Sequence, residues 1–401
     1  GAMRSLKRRR KSIASRKPVA AASRLPRPVE GARTLQPDYT IIGGGVVGLS
    51  VAYGLTRLGR RVTVIDGDDN AYRASRTNFG LVWVQSKGLN APHYARWSQT
   101  SAREWRAFAD DLQAASGNDL GLRQDGGYDF HLDEDSLAER VAAYEAVKEA
   151  LGGDYPFEVL GHNALKREEP NIGPAVAGAI LHHNDGHVNP LRLLQTLAGE
   201  FQNLGGVLMS GRAAAGVTPL EGGGFRIELG DGGRLDTPRV VLCAGLGASQ
   251  LGPMLGFKAP VRPQRGQVLI TEKLPKLMSR PSGIIRQVDE GGVQIGDTKE
   301  EVGLDDRTTT AGTAAIASRA AKVYPALARA RLVRSWAGLR VMSPDGLPIY
   351  QRSEVYPDAY FVTCHSGVTL AAAHARLLPR WLEGLPDAPD LEKFDERRFT
   401  V

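Results

Sequence analysis

The stretch Gly43-Gly44-Gly45-Val46-Val47-Gly48 satisfies G-x-G-x-x-G, a spacing suited to holding a phosphate against bare backbone. It follows an apolar run over residues 39–43 and leads into a segment with helical spacing from Val47 to Leu58, after which Arg61 to Asp66 reads as a second strand. In such a βαβ opening Gly43 makes the tight turn, Gly45 lets the backbone approach a pyrophosphate, and Gly48 lets the helix pack close to the sheet. The helix N-terminus, at Val46 and Val47, offers unpaired N–H groups and a positive dipole end. Asp66, 18 residues past Gly48 and followed by Gly67, is placed to accept hydrogen bonds from a ribose and disfavours a 2′-phosphate. The residues point to the ADP half of a dinucleotide and exclude NADP. They leave FAD and NAD open, against the plainer reading of a glycine-rich turn and a surface Asp.

The elements that must carry this loop belong to a chain of 401 residues, 42% hydrophobic, enough for two or three domains or one elaborated α/β enzyme. The net charge of +7 is misleading, because residues 1–37 hold 11 Lys or Arg against the single acid Glu30. The remainder carries 40 basic and 43 acidic residues, so no nucleic-acid partner is expected for the folded body. Residues 1–37 read as a basic, Arg-, Ser- and Pro-rich disordered arm. No apolar stretch reaches the ~18 residues of a membrane span. Cys243 and Cys364 have no C-x-x-C companion, so the chain offers neither a disulfide scaffold nor a cluster site of its own, and a cytoplasmic setting is expected.

Helical patterns cover His93 to Ala115, Ser136 to Leu151, Pro190 to Leu204 and Leu370 to Leu382. Strand-like segments recur at Gly206–Gly211, Gly224–Leu229, Arg239–Ala244, Gln267–Thr271, Gly292–Gly296 and Tyr360–Thr363. Residues 297–327 read as a polar loop leading into a helix, and residues 386–401 as a surface tail.

Three later segments choose between the cofactors. "NDGHVNPLRLLQTL", "RVVLCAGLGASQL" with Ala244 and Gly245, and "SWAGLRVMSPDGLPIY", followed by "PDAYFVTCHSGVTLAAAHARLL", resemble in order the signatures of the D-amino acid oxidase superfamily. That superfamily includes glycine oxidase, monomeric sarcosine oxidase and the FAD subunits of opine, hydroxyproline and cyanide-forming dehydrogenases. The resemblance runs from about Asp38 to Phe399. It implies a mixed α/β fold: a Rossmann-like FAD-binding domain made of residues 38–95, 165–250 and 330–401, with an interleaved antiparallel-sheet substrate domain of residues 96–164 and 251–329. It implies FAD, with "SRTNFG" (Ser75, Arg76, Thr77, Asn78) along the ribityl chain and ring. The Gly367, Val368 and Thr369 amides would face the flavin pyrimidine edge.

The same resemblance implies oxidation of the C–N bond of a D-amino acid, imino acid or opine, with hydride passing from Cα to flavin N5. Arg340 coincides with the family's carboxylate-binding arginine, a role suited to a planar two-pronged donor; the competing reading is a structural ion pair, for example with Asp345. Arg286, with Gln287, lies where the family lines its substrate pocket and would suit a dicarboxylate or guanidino substrate. Gly338 stands where sarcosine oxidases attach flavin through cysteine, so attachment is expected to be noncovalent. Gln294 replaces their oxygen-activating lysine, which favours a dehydrogenase passing electrons to an iron–sulfur or flavin partner subunit over an oxidase making hydrogen peroxide. A flavin-bearing subunit without catalysis is a further reading. His365 reads as a flavin-side or structural histidine. No metal is expected, since His182, His183, His187 and Asp185 fit a strand and turn.

Overall fold

A computed structural model describes residues 36–67 and 74–400, apart from the side chain of Arg76. The expectations for the basic arm lie outside the described residues. Tyr39–Ile42 occupies the middle of a six-stranded sheet, flanked in parallel by Val240–Leu242 and Val62–Ile65. Ala359–Thr363 and Val207–Met209 continue the parallel order outward, and Ile349–Arg352 adds an antiparallel edge. The central strands are apolar on both faces, as a sheet covered on both sides requires. One cover is the helix Val46–Arg57, which packs on Gly367–Arg376 and on Pro190–Asn203. Its contact with Gly367–Arg376 is close because Gly54 has no side chain: a Cβ there would fall 2.1 Å from the Ala375 carbonyl oxygen.

A second sheet is antiparallel, in the order Ile285–Gln287, Val293–Gly296, Arg262–Thr271, Leu332–Met342. The helix Thr310–Val323 covers it, burying Ile316, Ala320 and Val323 in the same core as Leu269 and Ile295. The long pair Arg262–Thr271 and Leu332–Met342 sets Gln264 opposite Arg340 and Gly266 opposite Gly338. A three-stranded antiparallel sheet of Gly127–His131, Gly178–His182 and Phe157–Gly161 lies beside it, and Tyr128 and Leu181 enter that core too.

Most expected elements recur within a residue or two. Four differences have physical causes. The segment expected as one helix over Leu370–Leu382 is two, Gly367–Arg376 and Leu378–Leu382, because Pro379 has no N–H to continue the ladder. The strand expected from Gln267 begins at Arg262. Leu332–Met342, seen only as a motif, is an 11-residue strand. The tail expected on the surface is anchored: Leu391 and Phe394 are buried in the main core, and the buried Glu396 carboxylate accepts from the N–H groups of Lys258 (2.8 Å) and Ala259 (3.0 Å).

One buried acid ties the antiparallel region together. Glu169, only 1% exposed, accepts from the Ser279 N–H (3.0 Å), the Ser279 hydroxyl and the Tyr324 hydroxyl (3.2 Å). Burial pushes its pKa up to about 7 despite these donors. A carboxyl whose pKa is raised on folding contributes stability below its ordinary value of 4.5 and loses it as pH rises through about 7. The stability of Glu169→Gln relative to wild type is therefore expected to rise as pH is taken from below 4.5 to above 7. Thermal melts of both proteins across that range test it, and a difference independent of pH would refute it.

Candidate active site

The glycine loop is built from backbone contacts that leave no room for side chains. Gly43 has φ of +116°, and a Cβ on it would lie 2.1 Å from the Cys243 carbonyl oxygen. A Cβ on Gly48 would lie 1.8 Å from the Gly43 carbonyl oxygen, so this residue sets how closely the helix abuts its own entry turn. Ala244 and Gly245 follow the neighbouring strand, and the Ala244 Cα also borders Gly43. The Gly44 N–H donates to Asp66 Oδ1 (3.1 Å), which puts the acid of the second strand against the loop. Gly67, next along, is packed near Ala213. The Val46 N–H at the helix start donates to Ser75 Oγ (2.9 Å), and a Cβ on Gly45 would reach that hydroxyl at 2.8 Å. The short helix Ala74–Thr77 thus lies over the loop. Gly367 closes the cluster, its Cα meeting Val46 and Val47 so tightly that a Cβ would be 2.8 Å from Val46.

From the loop, Thr77 and Asn78 lead into a cleft of about 1500 Å³, whose lining they join. Gly338 lines it, and a Cβ there would fall 2.1 Å from Thr77 Oγ1. Val368 and Thr369 form part of the wall. Thr369 Oγ1 accepts from the Trp83 N–H (3.0 Å) and donates to the Leu81 carbonyl (3.2 Å), fixing the cleft strand to the helix start.

Arg340 also lines the cleft, its guanidinium lying over Gly266, where a Cβ would meet it at 2.5 Å. It donates to the Thr298 carbonyl (3.0 Å) and pairs with Asp297. Asp345, the partner considered from sequence, is taken instead by Arg398 (2.8 Å). The loop carrying Asp297 is braced by Glu300, which accepts from Arg265 (2.8 Å), Gln267 (2.8 Å) and Thr298 (2.6 Å). The Arg265 hydrogen bond leads in drawing its pKa down to about 2.

His365 lines the cleft. Burial first, and then the charges of Lys87 and Arg340, hold its pKa well below the usual imidazole value, so it is neutral. Arg286 and Gln294 do not join it. They face each other across adjacent strands, with Arg286 Nε donating to Gln294 Oε1 (2.6 Å). Arg286 also bonds His187 Nδ1 (3.0 Å) and the Val188 carbonyl (3.2 Å), 4% exposed and outside the cleft lining. The side chain of Arg76 lies outside the described residues. The histidines of the "HHNDGH" segment turn to separate partners: His182 to Tyr155, His183 to Glu158 (3.2 Å) and His187 to Arg286.

Sequence reasoning missed Lys87. Its Nζ donates to Ser366 Oγ (2.7 Å) and lies 3.4 Å from His365 Nε2, while the Tyr94 hydroxyl bonds Ser366 from the other side (2.8 Å). A lone lysine in "WVQSKGLN" belongs to no spacing motif, and the only local sign is the glycine after it.

A family model described as "DAO: FAD dependent oxidoreductase" matches residues 38–381. The chain belongs to this family of FAD-dependent oxidoreductases. It is 43% identical over 363 residues to an opine oxidase subunit of Agrobacterium tumefaciens, covering 90% of this chain and 97% of that one. It is 29% identical over 409 residues to hydrogen cyanide synthase subunit HcnC of Pseudomonas aeruginosa, covering 90% and 96%. In fold it is similar to the crystal structure of glycine oxidase from Geobacillus kaustophilus, with a TM-score of 0.84 at 24% identity over 91% of this chain and all of that one. FAD is thus the dinucleotide that the glycines and Asp66 left undecided.

The residues present fit that cofactor. The bare backbone at Gly44 and Gly45, with Asp66 and Ser75 against it, suits the ADP half, and the Ser75–Asn78 segment runs from there to the large cleft. Asp66→Ala removes the charge-assisted hydrogen bond from Gly44 and, with it, the carboxylate that the sequence pattern assigns to the ribose. It is expected to weaken FAD retention by about 2 kcal/mol, a few tens of fold. Flavin released on dilution or ultrafiltration measures this, and wild-type retention would remove Asp66 from the site.

Proposed function

We propose that this FAD-dependent oxidoreductase oxidises the C–N bond of an amino acid or N-substituted amino acid, in the opine class before simple D-amino acids, as one subunit of a hetero-oligomer. Arg340 on the wall of the cleft carries the reading. It is an arginine whose guanidinium has been given room by a glycine on the facing strand, in a family of FAD-dependent enzymes. Similarity to an opine oxidase subunit supports both the substrate class and the need for a partner.

Arg340 would grip the substrate carboxylate, with Asp297 holding the guanidinium in place from the other side. The amine nitrogen must be neutral for its carbon to give up hydride, and the neutral His365 and the lowered pKa of Lys87 are consistent with such a site. Bound FAD supplies the acceptor for two electrons. The substrate loses a hydride from carbon and a proton from nitrogen, becoming an imine that water hydrolyses. The protein's part is orientation more than acid–base chemistry, and attachment of the cofactor is noncovalent, with Gly338 at the position where covalent relatives carry cysteine.

Electrons would pass to an iron–sulfur or flavin subunit. Use of oxygen is the second reading, favoured by 27% identity to glycine oxidase of Pseudomonas putida. Adding opines, N-alkyl glycines and D-amino acids to the yellow protein without air is expected to bleach the flavin, with slow recolouring when air is admitted. Rapid recolouring would establish an oxidase, and no bleaching would overturn the substrate class. Arg340→Lys and Arg340→Ala should each lose about 2–5 kcal/mol of substrate binding. Unchanged KM and kcat in both would remove Arg340 from its role.

A further inference from the structure

The cleft is unevenly charged. Of its carboxylates, Asp297 is paired with Arg340, Asp345 with Arg398 (2.8 Å), and Asp129 lies 3.9 Å from Arg140. Lys87 takes part in no ion pair among those of the described residues. Lys299 and Lys393 also lack one, but they are exposed to solvent, whereas Lys87 is half-buried and fixed on Ser366. The carboxyl of Asp185 bears on Lys87 through space. It is itself fully buried, accepting from the Val84 N–H (2.5 Å), and burial drives its pKa well above the carboxylate range. Partial burial lowers the Lys87 pKa to about 8, which leaves it mainly an ammonium at neutral pH, and an anion supplied by a ligand would offset its lost solvation.

The backbone is shaped to keep it there. Ser86 has φ of +62°, a left-handed conformation that a residue with a side chain rarely adopts, and the Lys87 N–H closes the turn on the Val84 carbonyl (3.1 Å). Gly88 follows at φ of +68°, wedged so that a Cβ would fall 2.4 Å from the Ala95 nitrogen at the start of the helix Pro92–Ser116. Strained backbone held by its surroundings is found where a side chain must be aimed.

The geometry points to Lys87 as the anchor for a second substrate carboxylate, carried on the nitrogen substituent, in addition to the one assigned to Arg340. In the opine class already proposed, whose members are secondary amines joining two carboxylate-bearing carbons, Lys87 would hold the carboxylate that Arg340 does not. The inference rests on the proposed C–N oxidation and deepens it.

The test uses FAD-loaded protein and two ligands that have sulfur in place of the amine nitrogen and so cannot be oxidised at a C–N bond. Thiodiacetate has two carboxylates and methylthioacetate has one; each is titrated against the flavin absorption spectrum. Wild type is expected to bind thiodiacetate about 10-fold more tightly. In Lys87→Met, or in Lys87→Gln if the first loses flavin, that preference should fall to about 2-fold or less, while Lys87→Arg should retain most of it. A wild-type preference near unity, or one that survives in the neutral variants, overturns the inference. Equal weakening of both ligands with a shifted flavin midpoint potential also overturns it, by assigning Lys87 to the cofactor. If the amines of the preceding test leave the flavin oxidised while the two-carboxylate preference holds and depends on Lys87, the reaction is wrong and the anchor stands.

Discussion

Glycines allow three close contacts around the start of the first helix, two of them backbone against backbone, and the rest of the site is arranged on them. The Cys243 carbonyl fills the place of a Gly43 side chain, and the Gly43 carbonyl fills that of Gly48. The start of Gly367–Arg376 presses on Val46 through Gly367. With glycine at each of these contacts, two strand ends and two helix starts converge. That convergence brings Asp66 to the Gly44 N–H and Ser75 to the Val46 N–H, and it sets the direction in which Thr77 and Asn78 enter the cleft.

The cleft is held from its opposite side by electrostatics. Glu300, gripped by Arg265, Gln267 and Thr298, braces the loop whose Asp297 receives Arg340. Arg340 is therefore positioned twice, by the room above Gly266 and by a carboxylate. Lys87 is positioned by the Ser366 hydroxyl and by a strained turn, and among the described residues no carboxylate pairs with it. These two modes of support leave the cations of the cleft unequally neutralised, a property of the site that no single residue displays.

The cofactor half of the fold was legible because its physics is local. A turn glycine, a phosphate-clearing glycine and a packing glycine fall within six residues, and the strand and helix periods on either side are strong. Arg340 and His365, singled out from the ordered signatures, both line the cleft. Legibility failed where placement depends on distant contacts. Arg286 and Gln294 sit on the expected strands, yet the cross-strand pairing and the Val188 carbonyl turn Arg286 away from the cleft lining. The pairing of Arg340 with Asp297 in preference to Asp345 depends on a loop tied down by Arg265. Glu396 and Phe394 are buried because they meet residues more than 40 positions away, which no periodicity in a charged tail announces. Lys87 is set by a positive φ at a serine, a conformation that the residue type argues against.

The strand order has a consequence for how the chain is made. Tyr39–Ile42 and Val62–Ile65 emerge first, but the parallel neighbours that complete their sheet come from residues 207–209, 240–242 and 359–363. Between the second of these strands and Val240 lie 174 residues, which take roughly 9 to 35 s to synthesise at about 5–20 residues per second. Until Val207–Met209 and Val240–Leu242 are made, the outer edges of these two apolar strands are unpaired, and the cradle of the cofactor lacks the helix start at Gly367 for longer still. The yield of molecules able to take up FAD is therefore exposed to the pace of synthesis as well as to the stability of the finished protein.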